Sequence, residues 1–333
     1  MSVPWSVAQK VAERMAGTYP LAQSYHVEAL KEETPDLVRR AEALVAEETG
    51  LVSVGMPEVA VVDRAAWVSR NLVFFSAILP DTGSDDVSVM DSVTAVEIGA
   101  LLGFMSRKVL GQYELVLPTD ANSGDAVYFL APNLLALERT HQLRPSEFRF
   151  WLALHECTHR LQFIGIPWLR EYFFGLVSEI VVHQAEPGRA KRVAAELKVA
   201  ADNNERLVGE SGIVGMLASP EQKEILDKVQ ALMAMLEGHG HVVMDRIGER
   251  MLVSNNRMSN LLKARRKDPR TTAFYRFTGL EMKMRQYEMG EKFILDVEKK
   301  AGWDALAMAW ESPENLPTLD ELEDVRTWLA RVS

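Results

Sequence analysis

The chain reads as mainly α, of α+β type, with one small β-hairpin set next to a central helix. Three observations carry that reading. Apolar residues recur at three- and four-residue spacing through most of the 333 residues. Only two neighbouring runs, 113–117 and 126–130, are clearly strand-like, and the turn-rich stretch 118–125 separates them as a hairpin would require. The helix expected at 145–165 is apolar on nearly every side, as a buried central helix is, yet it carries His155, Glu156 and His159.

Taken in order, residues 5–16 carry apolar side chains at helical spacing, and 35–48 form a second helix that follows a turn and stops before Gly50. The run 59–62 is either a short buried strand or the lead into a helix at 64–78, and periodicity alone does not separate the two. Residues 80–85 are a loop, and 92–108 a long helix rich in small residues. After the hairpin the pattern is helical from Asn133 almost to the end, broken at Pro187-Gly188 and Ser219-Pro220. The expectation is one domain, 1–333, with a helical part at 1–110, the hairpin and central helix at 111–165, and a second helical part at 166–333.

Composition narrows the function. With 47% hydrophobic and 25% charged residues the chain is ordinary for a globular protein. Its net charge of −10 disfavours nucleic-acid binding. The start carries Lys10, Glu13 and Arg14 in an amphipathic stretch rather than a signal peptide. The most apolar window, 172–182, contains Glu179 and is too short to span a bilayer. One cysteine allows no intrachain disulfide, which fits a reducing compartment. These features predict a cytoplasmic protein with no nucleic-acid or membrane partner, and they leave the oligomeric state open. The basic run 263–267 reads as a solvated helix end, with a site for an acidic or phosphate ligand as the alternative.

The chemistry sits in His155-Glu156-Cys157-Thr158-His159. Pro145, Ser146 and Glu147 suit a helix N-terminus, and Gly165 and Pro167 stop it. Phe150, Leu154, Cys157 and Leu161 form one apolar stripe, so Cys157 is a core residue and not a ligand. Two imidazoles four residues apart project from one helical face and can hold one Zn²⁺, with the glutamate beside the ion as general base. With 7 histidines in the chain, chance is a poor explanation for two of them framing a glutamate at this spacing.

A catalytic zinc usually takes a third protein ligand. The helix opening at Ser219-Pro220-Glu221-Gln222 carries Ile225, Val229, Leu232, Met233 and Leu236 inward and leads to Glu237. Glu237 is therefore the candidate third ligand, with His241 and His239 as alternatives. His241 shares the face of Glu237, whereas His239 stands about 200° away. Asp245 could orient a metal-bound imidazole, and Tyr287, His239 or His241 could stabilise a developing oxyanion. His183 closes a helix, and His26 and His141 read as surface residues.

At this point the run 155–163, followed by Ile166-Pro167-Trp168-Leu169-Arg170, resembles the zincin-like metallopeptidase type 2 family. Val62-Asp63-Arg64-Ala65-Ala66-Trp67-Val68, Val109-Leu110-Gly111-Gln112-Tyr113 and Ala131-Pro132-Asn133-Leu134 carry the same resemblance. So do Leu236-Glu237-Gly238-His239, Val243-Met244-Asp245, residues 279–287 and Trp310-Glu311-Ser312-Pro313-Glu314. Members are commonly labelled hydrolases, some in connection with deazaflavin-coenzyme biosynthesis. The resemblance covers essentially the whole chain and implies a largely helical zincin-like fold and a cytoplasmic hydrolase, but no particular substrate. His241 and Gly240 depart from the family's usual residues, which weakens a ligand role for His241. The expected activity is zinc-dependent cleavage of a peptide or small amide, with the hairpin edge able to pair with an extended peptide. The alternative is a metal-bearing protein without turnover that acts as a binding or regulatory partner.

Overall fold

A three-stranded mixed sheet of order β1-β3-β2 lies among the helices of the computed structural model, which describes residues 3–78, 89–115, 125–184, 220–266 and 282–333. The central strand β3 (Asp125–Leu130) pairs in parallel with β1 (Glu58–Val62) and antiparallel with β2 (Gly111–Leu115). Its position explains its composition: Ala126, Val127, Tyr128, Phe129 and Leu130 are all buried, because a central strand covered on both faces needs apolar residues without alternation. The hairpin is thus present. Its first strand begins at Gly111, two residues before the strand-like run, and residues 116–124 lie outside the described residues. The ambiguous run 59–62 is a strand followed directly by a helix.

The chain divides into two compact units, Met1–Gly165 with Leu252–Ser254, and Ile166–Met251 with Asn255–Ser333. In the first, α1 (Trp5–Ala16), α3 (Arg64–Ile78) and α4 (Val89–Met105) cover the sheet, and Ala8, Trp67, Val68, Leu102 and Tyr128 share one core. The small residues of α4 have a packing reason. A Cβ on Gly99 would stand 2.4 Å from the Ala8 carbonyl oxygen, so the two helices approach at backbone contact.

Helix α2 runs Tyr25–Thr49, ten residues earlier than its expected start at Pro35. Proline inside a helix removes one N–H, here the one that would reach the Lys31 carbonyl, and both residues are exposed so water can substitute. The stripe Val27, Leu30, Leu37, Val38, Ala41 and Val45 is buried on both sides of that point and outweighs the break. Helices α5 (Ala131–Thr140) and α6 (Pro145–Gly165) complete the unit.

The second unit holds α7 (Leu169–Gln184), α8 (Pro220–Met251), α9 (Asn255–Arg266) and α10 (Met282–Ala301). Two 3₁₀ segments, Trp303–Trp310 and Pro313–Asn315, precede α11 (Leu319–Glu323) and α12 (Val325–Val332). Thr318 and Glu321 cap α11 reciprocally. Helices α8 and α10 cross at Gly238 and Gly290, where a Cβ on Gly290 would fall 1.8 Å from the Ala234 carbonyl oxygen. Among the described residues no helix is long and apolar enough to cross a membrane. The loop expected at 80–85, the break at Pro187-Gly188, Ser219 and Lys267 lie outside the described residues. Within the basic run, Lys263 pairs with Glu291 at 2.8 Å.

Candidate metal centre

Helix α6 carries the paired histidines and is held rigidly along its length. Near its start the buried Arg149 donates to both oxygens of Glu138 at 2.8 and 3.0 Å and to Glu33 at 2.9 Å. One residue past His159, Arg160 is fully buried. It donates to Glu42 on α2 at 2.7 Å, to Asp125 at the head of β3 at 2.7 and 2.5 Å, and to the Val54 carbonyl at 2.9 Å. Phe150, Leu154, Cys157 and Leu161 fill the core as their spacing predicts. The Cys157 thiol lies 3.6 Å from the Val38 carbonyl, and burial, reinforced by the nearby Glu42 charge, pushes its pKa well above the ordinary value.

The Nε2 atoms of His155 and His159 stand 3.1 Å apart, with ring planes at 82°. His159 Nδ1 lies 3.0 Å from Gln162 Oε1. An amide oxygen only accepts, so Nδ1 carries the hydrogen, and in the neutral ring Nε2 presents its lone pair toward His155. That is the tautomer a metal ligand needs. The spacing fits as well: two nitrogens 3.1 Å apart, each about 2.05 Å from an ion, subtend about 98° at it, close to tetrahedral. Both rings are half-buried, so an ion between them would be reachable.

Glu156, almost fully buried, points to the sheet. Its Oε2 accepts a hydrogen bond of 2.9 Å from the backbone N–H of Tyr113 on β2. The Tyr113 ring stacks on Phe163, two turns further along α6. Sequence reasoning missed Gln162, Arg160 and this strand contact. Gln162 had a findable signal, since it lies one helical turn beyond His159. The others join segments distant in sequence.

In the second unit, Glu237 is half-buried on α8 beside the buried Leu232, Ala234, Met235 and Leu236. His241 is buried, and its Nδ1–H donates to the Glu237 carbonyl at 2.8 Å, turning the ring back on its own helix. His239 goes to another side, as the angle between them requires. It stacks on Trp303 at 5.9 Å and meets Trp310 edge-on at 5.4 Å. Asp245 is half-buried: Ser259 donates to it at 3.0 Å, and burial raises its pKa. Tyr287 lies on α10 with its side chain outside the described residues, as does the side chain of His183 at the end of α7. His26 and His141 are partly exposed, and His26 packs on Tyr25.

A helix that pairs two imidazoles around a glutamate, lying under the edge of a small sheet, defines a zincin-like class of metal-binding protein. The chain belongs to the zincin-like metallopeptidase family, whose sequence model matches residues 3–329. It is also similar to a crystal structure from Chloroflexus aurantiacus described as a "putative hydrolase with a novel fold". The two share 28% identity and a TM-score of 0.71, over 99% of this chain and 98% of the other. A comparison with curated proteins finds no match. The family implies a metal, and the histidine pair fits one.

Proposed function

We propose that this chain is a zinc-dependent hydrolase that cleaves a peptide or small amide bond in the cytoplasm. The observation that carries the reading is the pair of Nε2 atoms 3.1 Å apart, with the tautomer of His159 set by Gln162. Glu237 is the proposed third ligand, in addition to His155 and His159, because a catalytic zinc usually takes three protein ligands. Bound there, Zn²⁺ would lower the pKa of a water to near neutrality and polarise the substrate carbonyl. Glu156 takes the proton of the attacking water and delivers it to the leaving nitrogen as the carbon–nitrogen bond breaks. Tyr287 is the proposed oxyanion donor, since His239 is engaged with two tryptophans and His241 gives its ring N–H to the Glu237 carbonyl. The buried, unreactive Cys157 is consistent with residence in a reducing compartment.

One observation favours a second reading. Glu156 is tied to a backbone amide, so it also serves as a structural link between α6 and β2, and a metal-binding protein without turnover would keep such a link. Metal analysis and Glu156→Gln test both. The purified chain should carry near one zinc per molecule. Screened by mass spectrometry against peptides and N-acyl amides, it should lose about 10²–10⁴-fold of its turnover on Glu156→Gln while keeping its zinc. A chain without a stoichiometric metal refutes both readings. Turnover that survives Glu156→Gln refutes the assignment of the base, and no turnover on any amide favours the second reading.

A further inference from the structure

We infer that Gly111 is a positioning residue for Glu156: strand β2, and not α6 alone, sets where the carboxylate stands. The inference rests on the reading of Glu156 as general base. In an antiparallel pair, residues alternate between those whose backbone groups face the partner and those that face away. Leu130 donates its N–H to the Leu110 carbonyl at 2.8 Å, so residues 110, 112 and 114 face β3. Gly111, Tyr113 and Leu115 therefore turn their N–H and C=O groups to the other side of β2. There the Glu156 carboxylate takes the Tyr113 N–H at 2.9 Å.

The chain needs glycine at 111 for space, not for conformation. Gly111 is absent from the glycines with positive φ, so its backbone suits any residue. Glycine also weakens a strand, which makes it an unexpected choice at the head of β2. A Cβ at this position would stand 2.7 Å from Glu156 Oε1 and 3.0 Å from both Cδ and Cγ. The three nearest neighbours of that atom all belong to the one side chain. An added methyl must displace the Glu156 side chain from the place where it takes the Tyr113 amide.

A double-mutant cycle tests this in the full-length protein, read by deuterium uptake at the Tyr113 amide and by zinc content. Gly111→Ala should speed exchange at Tyr113 by about tenfold, the loss of one hydrogen bond to a charged group, with zinc content unchanged. In a Glu156→Ala background the amide already exchanges fast, and adding Gly111→Ala should change nothing. The shorter acid in Gly111→Ala/Glu156→Asp should recover part of the protection. If Gly111→Ala alone fails to fold while Gly111→Ala/Glu156→Ala folds, the clash lies with Glu156 and the inference stands. Unchanged exchange in Gly111→Ala, or equal acceleration in both backgrounds, overturns it, since the latter marks a general strand defect. Absence of zinc from the unmodified chain would overturn the metal reading alone, because the amide readout does not depend on the ion.

Discussion

Arg160→Met isolates what the buried guanidinium next to the motif contributes. Arg160 is fully buried, and the Glu42 side chain that it pairs with at 2.7 Å is 5% exposed, so the substitution strands a carboxylate with almost no access to water. Asp125 is 38% exposed and can rehydrate, so Glu42 dominates the cost. Removing one partner of a buried pair costs about 3–5 kcal/mol. For a unit of this size, Tm shifts by about 2–4 °C per kcal/mol, so the first unit should melt about 6–20 °C lower. Methionine fills the volume of the arginine stem, which separates the charge effect from a cavity. The informative companion is Arg160→Met/Glu42→Met. Replacing a buried ion pair by apolar residues is often neutral, so the double variant should recover at least about half of the loss. Thermal melts followed by circular dichroism, with urea titrations to check the slope, give both numbers. Tolerance of Arg160→Met within about 1 kcal/mol would refute the structural role of the network. A double variant no better than the single would place the deficit in the lost contacts to Val54 and Gly55 instead.

Gly290→Ala should destabilise by about 3 kcal/mol, at the upper end for overpacking, because its methyl meets the rigid Ala234 carbonyl rather than a movable side chain. Urea denaturation checks this, with Gly50→Ala as the contrast: nothing lies within 4 Å there, and only its φ of +68° is strained. Asp245 gives a pH test. Burial raises its carboxyl above the ordinary 3.8, against the Ser259 hydrogen bond and the Lys263 charge, while Glu291 and Glu249 push it further up. A raised carboxyl favours the fold below its unfolded pKa and loses that contribution as pH rises through the folded one. Asp245→Asn should therefore melt higher than the parent at pH 7, by a margin that shrinks toward pH 4; a margin that grows on acidification contradicts the assignment.

The legible parts of this fold are those in which distance along the chain equals distance in space. Helices α1 and α3 match their predicted limits because apolar spacing and stop signals are local. The pairing of β1 with β3 was illegible for the opposite reason. It is parallel, joins Glu58 to Ala126 across two helices, and leaves no mark in the run 59–62 beyond its apolar character. Proline 35 misled because a local rule was outvoted by a stripe of buried residues extending on either side of it.

The same distinction orders the site. His155 and His159 were readable as a pair because one helix sets their spacing, and Glu237, His239 and His241 could be sorted by angle on another. The helix then sends His239 to Trp303 and Trp310, and His241 back to the Glu237 carbonyl. Gly111 had no such rule to reveal it. Its meaning depends on β2 presenting alternate amides to a helix forty-five residues downstream, and on a glutamate long enough to reach one of them. A motif read from one helix therefore specifies which groups are candidates for chemistry. Where the acid among them stands depends on the strand alongside, and this makes Gly111, which has no functional group of its own, as much a part of the arrangement as the residues that do.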